Sequence, residues 1–268
     1  SYGIYLNSSN HNTVSSNIVD NNDVHGICLS PASDNNIISG NSANNNNYGI
    51  YILYCSYNTV SDNTANYNSY GISLNSSNHN TVSSNIVDNN DVHGICLSLA
   101  SDNNIILGNT ANYNNYYGIH LSNSDNNIVL GNNANYNNYG IHLNLSNHNT
   151  VSGNFVNNNS LHGINLGLSH NNKVLGNTVN YNQIGVYLNS SDVNSISGNT
   201  LLGNNKCIVE ENCQGNTFSD NGDCTYGESE DGGGNPIELI ILISVISGGA
   251  VIGVATLLLI RRKRKRKE

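Results

Sequence analysis

Residues 118–137 read GIHLSNSDNNIVLGNNANYN. Within this stretch Ile119 and Leu121 alternate with His120, Asn127 stands two places before Val129, Asn132 two places before Ala134, and Asn137 closes the run. Short alternating segments of this kind, each ended by polar turn residues, predict strands with one buried face rather than helices, whose apolar residues recur every three or four positions.

The stretch repeats along the chain. Gly3, Gly26, Gly49, Gly71, Gly94, Gly118, Gly140, Gly163 and Gly185 each open such a segment, at intervals of 22 to 24 residues. A column of asparagines follows nine or ten residues after each glycine. A second always lies five residues further on, with Asn41, Asn63, Asn85, Asn109, Asn132, Asn154, Asn177 and Asn199 as its main run, and a third lies five residues beyond that. A fixed period of this length is the signature of a solenoid, in which each repeat buries its apolar side only by stacking on its neighbours. The reading is an all-β, right-handed parallel β-helix over residues 1–224, of about ten coils with three short strands each. At the usual strand spacing of about 4.8 Å the stack is roughly 50 Å long. Asparagine suits its corners, because it tolerates the left-handed backbone region and its amides can bond along a column. Residues 1–46 and 69–114 differ at five aligned positions, so the array has grown by copying whole turns. The chain opens inside a repeat and reads as a fragment whose secretion signal lies upstream.

Composition limits the function. The chain is 10% charged, with two Pro, no Met and no Trp, and seven of its nine basic residues are Arg261–Lys267. The coils contain no Arg and only Lys173 and Lys206 as cations, which excludes the phosphate neutralisation that nucleic-acid binding requires. Beyond the coils, residues 225–238 form an acidic, Gly-rich linker. Residues 239–260 carry no charge over 22 positions and are followed at once by the basic tail 261–268. That length crosses a hydrocarbon core as one helix, and the positive-inside rule places the tail in the cytoplasm and the coils outside. The expectation is a single-pass cell-membrane protein with an extracellular β-helix. Near the end of the coils Cys207, Cys213 and Cys224 allow three disulfide pairings, of which Cys213 with Cys224 is preferred as a staple on the last coil.

The coil formed by Gly118-Ile119-His120-Leu121, Asn127-Ile128-Val129 and Gly131-Asn132-Asn133-Ala134 resembles the NosD-like β-helix repeats, which belong with the wider carbohydrate-binding and sugar-hydrolysis β-helix group. The resemblance covers residues 1 to about 224. It implies the fold and, through the family's name, copper delivery to nitrous oxide reductase in the periplasm. A membrane anchor departs from that soluble setting, and a fold by itself carries no chemistry.

Three kinds of site follow from the side chains. Tyr48, Tyr70, Tyr117 and Tyr139, just before the glycines, and Tyr67, Tyr113, Tyr136 and Tyr181, one residue before the last asparagine column, are expected to border one corner as an aromatic edge. Such an edge suits a polysaccharide or glycoprotein, with rings stacking on sugars and amides bonding hydroxyls. Cys96, His120 and His142 share one outward column and offer ligands of the type copper takes, although no Met supports a soft site. Asp102 and Asp125 are the nearest approach to a carboxylate pair for a polysaccharide lyase or hydrolase, but they sit where Asp is an ordinary turn residue. No catalytic residue is assigned, and no cofactor beyond the copper that the resemblance implies. The leading expectation is a non-enzymatic surface protein for adhesion or glycan binding, with copper binding as the alternative and polysaccharide cleavage as the third.

Overall fold

The computed structural model describes residues 1–223, which coil into a right-handed parallel β-helix. Ten strands from Tyr2–Leu6 to Lys206–Glu211 form one parallel sheet, and ten three-residue strands from Thr13–Ser15 to Thr217–Ser219 form a second. Pairing is always between successive coils and always in register: Ile119 lies between Ile95 and Ile141, and Val129 between Ile106 and Val151. The third wall is slighter than the sequence implies. It holds one bridging residue per coil, as in Thr110 to Asn133 to Phe155, because two asparagine corners five residues apart leave little room for a strand.

The core is a narrow column of Ile and Leu from the first sheet, Val and Ile from the second and Ala or Val from the third wall, nearly all fully buried. It is flanked by columns of buried asparagine that hold the corners. Asn132 is typical: its Nδ2 donates to the Ile106 carbonyl of the preceding coil at 2.9 Å and to Asn154 Oδ1 of the next at 3.0 Å, while its Oδ1 accepts the Asn109 N–H at 2.8 Å. The left-handed residue is not the asparagine itself but the one before it, such as Gly131 at φ 65°, Tyr136 at φ 59° or Asn126 at φ 59°. A further buried column of serines, including Ser77, Ser101, Ser124 and Ser146, turns the corner after the glycine strand.

The glycine of each coil is required by this arrangement. A Cβ on Gly118 would lie 2.8 Å from Asn137 Nδ2 and 2.8 Å from the Gly140 carbonyl oxygen, so it would point inward at the ladder. The following Ile119 is fully buried as well. Two successive inward positions therefore leave the residue before the glycine and the second residue after it side by side on the outer face.

One expectation changes at the C-terminal end. Cys213 carries a free thiol. It takes a place in the serine column, where its Sγ accepts the Ser191 N–H at 3.3 Å and contacts the Glu211 carbonyl at 3.2 Å, so it is not the staple. The disulfide-bonded cysteine here is Cys207. Cys224, the linker 225–238, the apolar stretch 239–260 and the tail 261–268 lie outside the described residues. Among the described residues no helix is long and apolar enough to cross a membrane.

Removing one ladder amide strands a buried carbonyl and a buried N–H. Asn132→Ala is expected to cost on the order of 3 kcal/mol, whereas Asn133→Ala, on the outside, costs less than about 0.5 kcal/mol. Chemical denaturation of the two variants followed by circular dichroism checks the contrast.

Candidate metal and ring face

In-register stacking turns outward positions into columns. The column before the glycines runs Tyr70, His93, Tyr117, Tyr139 and His162, and the second position after them runs Ser73, Cys96, His120, His142 and Asn165. The two columns touch, with the rings of Tyr117 and His120 4.5 Å apart. Ring contacts continue without a break from Tyr2 through His25, Tyr48, Tyr70, His93, Tyr117, Tyr139 and His162 to Tyr187, at centroid spacings of 4.5 to 5.3 Å. Aromatic pairs at such distances stabilise beyond their buried area, by about 0.5–1.5 kcal/mol each. The face is thus partly a structural seam.

Its middle holds a different group. One ligand atom from each of His93, Cys96 and His120 lies within 4.8 Å of the other two, and the Cys96 Sγ is 3.9 Å from His120 Nδ1. His93 and Cys96 are buried, and His120 is nearly so. His93 Nδ1, His120 Nε2 and His142 Nδ1 are buried with no hydrogen-bond partner. Burial lowers the pKa of His93 to about 4. For His142 burial, with help from the neighbouring His93 and His162, gives about 4, and for His120 burial, with His142 and His93 close by, gives about 2. All three imidazoles are therefore neutral at pH 7 and keep a lone pair for a ligand. Burial also raises the Cys96 thiol to about 12, so it stays protonated until a cation offsets the thiolate charge. Two neutral imidazole nitrogens and one sulfur within reach of a single ion match the donors taken by Cu(I) or Zn(II).

Of the residues expected to bind metal, Cys96 and His120 meet. His142 stands one coil on, its ring stacked on that of His120 at 5.0 Å and 4° rather than in the group of three. His93 takes its place. The signal for His93 was present in the sequence as the histidine before Gly94, but it counts only once glycine and isoleucine are both known to face inward.

The expected single tyrosine edge divides in two. Tyr48, Tyr70, Tyr117 and Tyr139 are half-buried in the ring seam of the first sheet. Tyr67, Tyr113, Tyr136 and Tyr181 stand exposed at a corner, each at a left-handed φ of 57° to 59°. Asp102 and Asp125 serve the backbone: Asp102 Oδ1 accepts the Asp125 N–H at 2.7 Å, and Asp125 Oδ1 accepts the Asn147 N–H at 2.6 Å. They act as links in a coil-to-coil column, which is the role of turn residues.

Fold and face together define a parallel β-helix protein whose first sheet carries an imidazole and thiol cluster within a seam of rings. The family model for "Periplasmic copper-binding protein (NosD)" matches residues 1–162 and 131–222, and the chain belongs to that family. No curated protein matches the sequence significantly. Among solved structures, the chain is similar to the A-module of the Azotobacter vinelandii mannuronan C-5 epimerase AlgE6, at 18% identity and a TM-score of 0.71, over 85% of this chain and 73% of that one. It is also similar to the periplasmic alginate epimerase AlgG, at 22% identity and a TM-score of 0.59, over 72% and 61% respectively. The Dettilon tailspike protein matches at 15% identity and a TM-score of 0.65, over 81% and 55%. At these identities the likeness is one of fold.

The buried neutral histidines give stability a pH dependence of definite sign. Their folded pKa values lie below the free value of 6.5, so their contribution is complete above about pH 6.5 and is lost as pH falls towards about 4. Between pH 7.5 and 4.5 the loss is on the order of 2 to 3 kcal/mol each for His93 and His142. Thermal melts across this range should show a falling midpoint, and His93→Phe with His142→Phe, which keeps rings in place, should flatten the slope.

Proposed function

We propose that the coils bind one soft metal ion, Cu(I), on the outer face of the first sheet, and that the protein displays this site outside the cell from a membrane anchor at residues 239–260. The observation that carries the reading is the convergence of His93, Cys96 and His120 within 4.8 Å, with Cys96 Sγ facing His120 Nδ1 and the buried Nδ1 of His93 lacking any hydrogen-bond partner. An unpartnered buried polar atom costs roughly 1–3 kcal/mol, and a metal bond relieves that cost. Membership of a family described as copper-binding supports the choice of ion. A mixed sulfur and imidazole set supports it too, since thiolate favours Cu(I). When bound, the ion would be held by Cys96 as thiolate with the two imidazoles, and the Cys96 proton would leave to solvent. The residues around it exclude water: Tyr117 lies against both His93 and His120, and His142 covers the far face of His120.

The site suits capture and transfer rather than catalysis. The carboxylates that could serve polysaccharide cleavage, Asp102 and Asp125, are committed to backbone N–H groups. The extracellular placement rests on the uncharged stretch 239–260 and the basic tail after it.

Anaerobic titration of the full chain with Cu(I) against a chromogenic chelator should show one ion per chain. Cys96→Ser should weaken binding at least tenfold, as should His120→Phe, while His142→Phe has a smaller effect. Tight binding that survives Cys96→Ser would remove the proposal.

A further inference from the structure

The exposed tyrosines are arranged independently of the metal face. Tyr67, Tyr113, Tyr136 and Tyr181 occupy one corner position per coil, with Asn89 and Asn158 standing in the same column between them, all at φ 57° to 59°. A shared backbone conformation sends these side chains off the corner in the same direction. Where two tyrosines fall in adjacent coils, at Tyr113 and Tyr136, the rings stack 4.8 Å apart and within 2° of parallel. The edge of the Tyr181 ring packs against Gly203 in the next coil, where an added Cβ would be 2.5 Å from Cδ1 and Cε1. Where they neighbour one another, the rings of this column stack from coil to coil.

The pattern is tyrosine, gap, tyrosine, tyrosine, gap, tyrosine. At each gap an asparagine too short to fill the space leaves two tyrosine faces two coils apart, about 9.6 Å at the usual strand spacing. A ring placed midway lies about 4.8 Å from each ring centre, the centroid spacing at which Tyr113 and Tyr136 already stack. Each gap is the height of one missing ring.

The walls say what kind of ring fits. A groove of about 380 Å³ beside Asn158 is lined by Tyr113, Tyr136, Asn115, Asn138 and Ser160 among others, on the Tyr136 side of the gap. Ser160 Oγ already donates to Asn138 Oδ1 at 2.7 Å, leaving the Asn138 amide nitrogen free to donate. Apolar faces above and below with amides and a hydroxyl at the side match a pyranose, whose two faces carry C–H groups and whose rim carries hydroxyls. The coils hold no Arg and only Lys173 and Lys206, so nothing at this corner favours an anionic sugar. We infer that the gaps at Asn89 and Asn158 are two saccharide subsites, each holding one uncharged pyranose ring of a polysaccharide between a pair of tyrosines.

The test fills the gaps instead of removing the rings. Tyrosine already occupies this corner in four coils, so Asn89→Tyr and Asn158→Tyr fit the local backbone and complete the stack. The full chain, which has no Trp, is titrated with cellohexaose and, separately, chitohexaose, followed by tyrosine fluorescence and by isothermal calorimetry. Saturable binding is expected to at least one of the two, weakened at least tenfold in the double variant while its melting midpoint is unchanged or raised. Tyr136→Ala should weaken binding as well. Undiminished binding by the double variant, saturation by neither oligosaccharide, or saturation by a planar aromatic probe such as flavin mononucleotide alone would each overturn the assignment.

Discussion

The structure depends on a buried side-chain amide that takes the part of a backbone group. At each corner the chain turns away from its sheet, and the carbonyls and N–H groups there would be stranded in a narrow apolar core. Asparagine supplies both halves of the missing pairing. Asn63 shows this, its Nδ2 reaching the Ile38 carbonyl of the coil before and Asn85 Oδ1 of the coil after, each at 2.9 to 3.0 Å. Aspartate has no N–H to give, and glutamine would displace the amide by a methylene. This is why the five-residue spacing between ladder columns is kept so strictly, whereas the serine corner, whose bonds are made by a simple hydroxyl, also accepts Cys55 and Cys213.

The same register that seats the ladder also builds the surfaces. Because successive coils stack in register, a residue choice made in two or three successive coils becomes a site in three dimensions. His93, Cys96 and His120 come from two coils, and the gaps in the tyrosine column come from a single asparagine set between rings. Flat parallel sheets with half-buried outer faces also desolvate these groups, which is what keeps the imidazoles neutral and the thiol protonated. The two proposed sites lie in different columns of one scaffold and use no residue in common, so either can fail without the other.

Much of this was legible in the sequence, because periodicity reports stacking directly. The coils, their buried Ile, Val and Ala walls and the asparagine columns follow from spacing alone. What spacing does not report is direction. That Gly118 faces inward beside Ile119 follows only from the close approach of Asn137 and the Gly140 carbonyl, and without it His93 belongs to a corner rather than to the metal face. The left-handed residue is likewise one place earlier than composition suggests, at Tyr113 or Tyr136 rather than at the following asparagine, which moves those tyrosines off the edge they were expected to share. Cys213 misleads because a cysteine near the end of a run of repeats reads as a bridge, when its place in register is that of a serine.

The ladder amides themselves offer the most direct test. Hydrogen exchange measured by NMR on the side-chain NH₂ groups of Asn63, Asn85, Asn109, Asn132, Asn154 and Asn177 should show protection comparable to that of the backbone N–H groups in the paired strands, with exchange only when coils open. Side-chain exchange as fast as that of a free asparagine amide, under conditions where the strands remain protected, would contradict the central role given to these side chains.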